Sequence, residues 1–169
     1  IGATNGIDIS NTYLLEKKNN WKGICVEPNN EFFNKLVKNR SSYNDNSLLF
    51  SEKGKEFDFS ESGEFGGITD YIDAHPSAKK NKQTKKTSET LNNILIKYNA
   101  PNNIDFLSLD TEGSELEILK GVDLNKYKFG FIAVEHNKVE PRRSDMRKYL
   151  ESFGYKYLKE NNWDDYYIR

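Results

Sequence analysis

The chain has 169 residues, 36% hydrophobic and 13% aromatic, enough to bury one sizeable core but short for two domains. A formal net charge of -1 offers no overall attraction to nucleic acid or an anionic membrane, and the single cysteine excludes an internal disulfide. No apolar run approaches the roughly twenty residues of a membrane-spanning helix and no signal peptide is visible, so a soluble, cytoplasmic protein is expected.

Ile1-Gly-Ala-Thr-Asn-Gly6 reads as the end of a buried strand entering a glycine turn, and Ile9, Tyr13 and Leu14 give helical spacing over residues 7–18. With no initiator methionine and a strand already at its end, residues 1–169 are expected to be one domain cut from a longer product. Gly23-Ile-Cys-Val26 is a short strand, with Cys25 a small core residue, and it ends in Glu27-Pro28. An amphipathic helix follows with Phe32, Phe33, Leu36 and Val37 inward, then a strand over 47–50, a turn at 51–54 and a short edge strand at 57–59. Between Ser60 and Thr87 periodicity fails; glycines at 63, 66 and 67 and a basic run at 79–86 suggest a long, mobile loop over the mouth of a site. A helix from Ser88 to Tyr98, stopped at Ala100-Pro101, leads to a strand at Ile104 to Leu109 and a helix at Glu115 to Lys120. A strand at Phe129 to Val134, a helix at Ser144 to Phe153 and an antiparallel pair, Tyr155 to Leu158 and Trp163 to Ile168 around Asn161-Asn162, complete the chain. This alternation predicts an α/β fold with a mostly parallel sheet and an antiparallel C-terminal strand.

Two places carry candidate chemistry. Glu27 ends a strand about twenty residues beyond the glycine turn, where nucleotide-binding α/β units set an acid that accepts hydrogen bonds from ribose hydroxyls. An ordinary tight turn is the alternative. Asp110 and Glu112 leave the apolar strand 104–109 at the carboxyl edge of the sheet, where open α/β sheets bind ligands; the alternative is Asp110 as a helix cap.

The runs Ile-Gly-Ala-Thr-Asn-Gly at 1–6, Ser-Asn-Thr-Tyr at 10–13, Trp-Lys-Gly-Ile-Cys-Val-Glu-Pro-Asn at 21–29, Ile-Asp-Phe-Leu-Ser-Leu-Asp-Thr-Glu-Gly-Ser-Glu-Leu at 104–116 and Val-Glu-His-Asn at 134–137 resemble, in order and spacing, the FkbM-type methyltransferases. The resemblance implies a Rossmann-like class I three-layer sandwich, S-adenosylmethionine (SAM) as cofactor, and O-methylation of a sugar, glycan or glycosylated natural product. It also implies glycosyltransferases as partners, fused or separate. On that reading Gly2, Ala3, Asn5 and Gly6 approach the methionine part and ribose, and Ser10 and Asn11 reach the amino-acid end. Glu27-Pro28 takes the ribose, while Ser51 and Glu52 flank adenine or form a polar hairpin.

For catalysis, Asp110 and His136 are expected together as a base that activates the acceptor hydroxyl. The competing expectation is a Mg²⁺ or Mn²⁺ ion on Asp110, Glu135 and His136. His75 is read as an exposed loop residue. The basic run and Arg142-Arg143 are a solvated face, or else a grip on an acidic or phosphate-linked acceptor. Tyr13, Phe65, Tyr71 and Tyr98 are candidates for stacking on a sugar. A short-chain dehydrogenase would need a Tyr-x-x-x-Lys pair beyond the middle strands, and the one match, Tyr13 and Lys17, lies too early; a non-enzymatic nucleoside-binding module stays open.

Overall fold

The computed structural model describes residues 1–169, which form a mixed α/β structure of nine strands in three sheets with five α-helices. In chain order these are α1 (Tyr13–Asn19), β1 (Ile24–Val26), α2 (Asn30–Asn39), β2 (Tyr43–Asp45), β3 (Leu48–Leu49), β4 (Glu56–Ser60), β5 (Gln83–Glu89), α3 (Leu91–Lys97), β6 (Asn103–Leu109), α4 (Glu115–Lys120), β7 (Lys128–Glu135), α5 (Arg142–Ser152), β8 (Lys156–Asn161) and β9 (Asp164–Ile168). The sheets are the parallel pair β1-β2, the mixed β3-β5-β4, and the mixed β6-β7-β9-β8, in which only the β6-β7 pair is parallel.

The first three residues join two of these sheets. Gly2 and Ala3 donate backbone hydrogen bonds to the Val26 carbonyl at 3.0 and 3.1 Å, while Ile1 N donates to the Ser108 carbonyl at 2.8 Å and Asp110 N–H to the Ile1 carbonyl at 3.3 Å. The segment therefore lies between β1 and β6, so that the ends of β1, β6 and β7 open on one edge. Gly2 is required there by contact: its φ is +73°, and a Cβ would stand 1.7 Å from the Asp110 carbonyl oxygen. Behind this edge, the apolar faces of α3, α4 and α5 bury Leu91, Ile94, Ile118, Leu119, Met146 and Leu150 against Leu107, Leu109, Ile132 and Val134 of β6 and β7 in one cluster.

Several elements differ from the sequence-based expectation. The helix over 7–18 shrinks to α1, with Ile9 and Leu14 exposed. The Asn5 carboxamide oxygen accepts from Ile7 and Asp8 N–H, holding an Asx turn where the helix would begin. On α2 only Leu36 is buried, and Val37 faces solvent. β2 was not anticipated from its polar sequence. The long loop keeps residues 61–82, but the end of the basic run is β5, paired antiparallel to β4 with Lys85 ion-paired to Asp58 and Glu56. α3 starts only at Leu91, where the Thr90 hydroxyl accepts from Asn93 N–H. The elements from β6 to β9 follow the expected boundaries within about two residues, the usual fraying of assignments, except that β8 runs to Asn161, three residues past the expected Leu158.

Residues 6–16 are tied to α2 by a buried ion pair. Arg40 Nε donates to Glu16 Oε2 at 2.7 Å, and the guanidinium also reaches the Gly6 carbonyl and the Ser10 and Thr12 hydroxyls. Burial alone would raise the Glu16 carboxyl, but donation from Ser41 N–H and from Arg40 outweighs it and brings the pKa down to about 2. Its folded pKa lies below the unfolded value, so this stability is fully present above about 4.5 and is lost as pH falls toward 2. Glu16→Gln, which strands the guanidinium, should cost about 3–5 kcal/mol at pH 7 in urea unfolding. The gap to wild type should narrow between pH 4.5 and 3, and a gap independent of pH would show that the charge of Glu16 contributes nothing.

Candidate functional site

A cleft of about 1040 Å³ runs along β1 and β6, from Trp21 and Pro101 at their amino ends to the edge where β1, β6 and β7 end. Gly2, Ala3, Ser10, Asn11, Glu27, Pro28, Asp110, Glu112 and Glu135 all line it, with Asn11 donating to the Ser108 hydroxyl of β6. Glu27 is buried; its Oε2 accepts from Thr4 N–H at 2.8 Å and its Oε1 from Asn29 N–H at 2.7 Å, so it clips the glycine turn to the end of β1. Each oxygen keeps a further lone pair. Burial, only partly offset by these donors, raises the carboxyl to about 6. Asn29 in turn caps α2, accepting from Glu31 and Phe32 N–H.

Other expected residues lie elsewhere. Asn5 is occupied in its Asx turn, and Gly6 is packed where a Cβ would meet Leu36 and Arg40 at 2.6 and 2.7 Å; neither lines the cleft. Ser51 donates to Glu117 and Glu52 pairs with Lys55 at the surface, which is the polar-turn alternative; Ser47 and Leu48 occupy the cleft wall instead. His136 is the largest correction. It is fully buried and outside the cleft lining, its Nδ1 accepts from Lys138 N–H at 2.8 Å, and its Nε2 faces Asp165 at 3.4 Å. Burial lowers its pKa against the pull of Asp165. The expected partnership of His136 with Asp110 and Glu135 is therefore not formed; Glu135, the residue before it, faces the cleft.

What joins Asp110 and Glu135 is Glu112, with a carboxylate oxygen of each of the three within 4.8 Å of the others. Glu112 adopts a left-handed backbone at φ +61°, uncommon for a residue with a side chain. The buried Glu115 enforces that turn: its Oε1 accepts from Thr111 N–H, the Thr111 hydroxyl and Gly113 N–H. Asp110 is thus not the helix cap. Loss of hydration, then repulsion from Asp110 and Glu115, raises Glu112 to about 8. Glu135 is pushed up by burial and by Asp110, and Asp110 by burial and by Glu115.

Residues 61–82 cover this edge. A Cβ on Gly113 would stand 2.0 Å from the Tyr71 carbonyl oxygen, so glycine is needed where the segment crosses the turn. Arg142 fastens it, gripping Asp73 through two hydrogen bonds of 2.9 and 3.1 Å while pairing with the buried Glu115. Arg143 is spent on Asp165 and Glu160, so both arginines hold structure rather than an anionic acceptor. His75, read from sequence as an exposed loop residue, keeps 40% of its side chain exposed and also lines the cleft, its ring 4.3 Å from that of Phe65 and its Nε2 4.0 Å from Glu112 Oε2. Of the aromatic candidates, Phe65 and Tyr98 reach the cleft, Tyr98 being stacked on Tyr43; Tyr13 and Tyr71 do not.

The sequence matches the methyltransferase FkbM domain over residues 1–157. The chain belongs to the FkbM methyltransferase family. That assignment removes the dehydrogenase alternative, and Tyr13 and Lys17 sit on α1 as anticipated. No curated protein and no solved structure matches the chain. In this FkbM domain the matched span includes Glu27, Asp110, Glu112, Glu115 and Glu135, while β9 lies beyond it. No helix is long and apolar enough to cross a membrane.

The latch gives a graded expectation. Asp73→Asn should speed amide exchange across residues 68–78 while lowering global stability by no more than about 1 kcal/mol, because Asp73 is exposed. Arg142→Ala should add a loss of about 3–5 kcal/mol, since it leaves Glu115 buried and unpaired. Equal exchange in all three proteins would mean that Arg142 does not hold the segment.

Proposed function

We propose that this FkbM domain is a SAM-dependent O-methyltransferase acting on a hydroxyl of a sugar, glycan or glycosylated small molecule. The observation that carries it is that Glu27 and the carboxylate edge line one cleft, at the ends of the strands that flank the glycine segment Ile1–Ala3. The bridging of β1 and β6 by Ile1–Ala3 supports a Rossmann-like arrangement in the order β2, β1, Ile1–Ala3, β6, β7, β9, β8. In sheets of that kind the ligand crevice lies where the strand order reverses, which is where Glu27 and Asp110 stand.

When bound, SAM supplies a methyl group already activated on sulfur. The protein then has to orient, exclude water and accept a proton. Glu27 accepts from the ribose hydroxyls through its remaining lone pairs. Gly2 and Ala3 allow close approach, and Ser10 and Asn11 face the amino-acid end. Residues 61–82 shield the edge from water and present Phe65 as a face for a sugar ring. The Asp110 edge would take up the proton of an acceptor hydroxyl held against the methyl group that SAM supplies. Glycosyltransferases, fused or separate, are the partners that would supply such an acceptor.

Calorimetric titration with S-adenosylhomocysteine (SAH) tests the reading. Glu27→Ala should weaken binding by about 1.5–3 kcal/mol, the range for a charged hydrogen bond, with folding checked by thermal melting because Thr4 and Asn29 lose their acceptor. Affinity of the wild type should decline as pH is taken below about 6, where Glu27 gains its proton. Wild-type protein that ignores SAH would sink the proposal.

A further inference from the structure

Just past β7 the backbone turns through two consecutive left-handed residues, Asn137 at φ +48° and Lys138 at φ +58°. Side chains are uncommon in that region, and strain of this kind persists only where neighbours impose it. The imposing contacts come from the β8–β9 hairpin and from His136. The Trp163 carbonyl accepts from His136 N–H at 2.8 Å and Asn137 N–H at 3.3 Å, and His136 Nδ1 accepts from Lys138 N–H at 2.8 Å. Asn137 and Trp163, joined in this way, both line the cleft. Asn137 Nδ2 is buried with no hydrogen-bond partner, although buried polar atoms are nearly always satisfied. Trp163 is 59% exposed at the hairpin turn, with Lys138 Nζ over its ring at 5.2 Å from the centroid. An unpaired amide donor next to an exposed indole is the make-up of a binding surface rather than of a packed one.

We propose that Asn137 and Trp163 form a second sugar subsite, so that the acceptor is a neutral glycan of at least two rings rather than a free monosaccharide. A pyranose carries hydroxyls around its edge and C–H groups on its face. Its hydroxyl oxygen accepts from Asn137 Nδ2 while the C–H face lies on the electron-rich face of the indole. Lys138 is paired with Glu160 at 3.7 Å, which leaves no free cation here for an anionic group. Position decides which ring this is. β6, β7 and β9 are successive neighbours; Asp110 follows β6 and Trp163 precedes β9, so two strand spacings of about 4.8 Å, roughly 10 Å in all, lie between them. One pyranose does not span that gap, and two linked rings do. The first ring then sits at the Asp110 edge near Phe65 and His75, and the second on Trp163, a residue past the end of the FkbM match. That the first ring is the one methylated rests on the methyl-transfer reading; the binding of two rings does not.

The test uses the whole chain and neutral probes: glucose, galactose, mannose and N-acetylglucosamine, each as the single sugar and as its α- and β-linked disaccharides, titrated by calorimetry. At least one disaccharide should bind about tenfold more tightly than its own monosaccharide, because the second ring is tethered to the first. Trp163→Ala should bring that disaccharide down to the monosaccharide level, while Trp163→Phe, which keeps an aromatic face, should restore it. Asn137→Gly suits the left-handed backbone while removing the amide, and should cost about tenfold. Trp163 is exposed, so Trp163→Ala should keep the wild-type melting temperature and SAH affinity. The chain has two tryptophans, so in a Trp21→Phe background Trp163 is the sole indole, and its fluorescence should shift as the disaccharide binds. A panel without a binder, equal affinity for one ring and two, or a disaccharide preference that survives Trp163→Ala would each overturn the subsite. Full affinity in Asn137→Gly would remove Asn137 from it. SAH is titrated in parallel: SAH binding without a disaccharide preference would leave the methyl-transfer reading standing alone, and Trp163-dependent disaccharide binding without SAH binding would leave only the subsite.

Discussion

Almost everything on the acidic side of the cleft hangs on one side chain, Glu115. Its carboxylate lies fully inside the protein, with one oxygen collecting three donors from the Thr111–Gly113 turn and the other paired with Arg142. That first set fixes the turn in which Glu112 takes a left-handed backbone. The second reaches through Arg142 to Asp73 and to the His136 carbonyl, so the same buried charge positions the carboxylate edge, the covering segment and the end of β7. A buried carboxylate is tolerable only because all these donors are supplied together. Removing any of them would therefore be felt in the others, as members of one network are not independent.

The Glu27 end of the cleft follows a similar logic with lighter means. Glu27 is held by two backbone N–H groups, and Arg40 with Glu16 fixes the segment that carries Ser10. Between β1 and β6, Gly2 touches the Asp110 carbonyl so closely that no side chain fits. The two halves of the cleft are thus joined by backbone contact, and the distance from Glu27 to the carboxylate edge is set by the sheet rather than by mobile side chains. Sites built on strand ends are more precise than sites built on loops.

What was legible in the sequence was whatever short-range chemistry decides. The apolar run 104–109, the glycine after Glu112, and the spacing from the first turn to Glu27 all express local rules, and β6, α4 and the end of β1 follow them. Residues 7–12 were misread because three apolar residues can mimic helical spacing, while the forces that shape the segment come from Asn5 nearby and from Arg40 across the fold. β5 was missed because Gln83–Glu89 is polar throughout and offers no apolar face; its partners are the acids of β4. The two histidines were exchanged for different reasons. Successive residues at a strand end point to opposite sides, so with Glu135 toward the cleft His136 had to turn away, a signal the sequence did contain. His75 reaches the cleft through a segment with no periodicity, and nothing local announces it.

The acidic edge also carries a cost that packing alone does not explain. Glu112 sits in a backbone region that side chains avoid, and its carboxyl and that of Glu135 are both driven up by burial and by repulsion from Asp110 and Glu115. A fold optimised only for stability would place apolar residues or hydrogen-bonded amides at these positions, and the network around Glu115 would hold them equally well. Strain and uncompensated charge survive where the surrounding structure over-determines them, and they cluster where a protein does chemistry. Here the over-determination is visible in named contacts: Glu115 and Arg142 beneath, Gly113 against Tyr71 above, Gly2 against Asp110 at the side. The stability lost at the edge is offset by these neighbours, and what the edge keeps in return is a set of oxygens with free lone pairs facing the cleft.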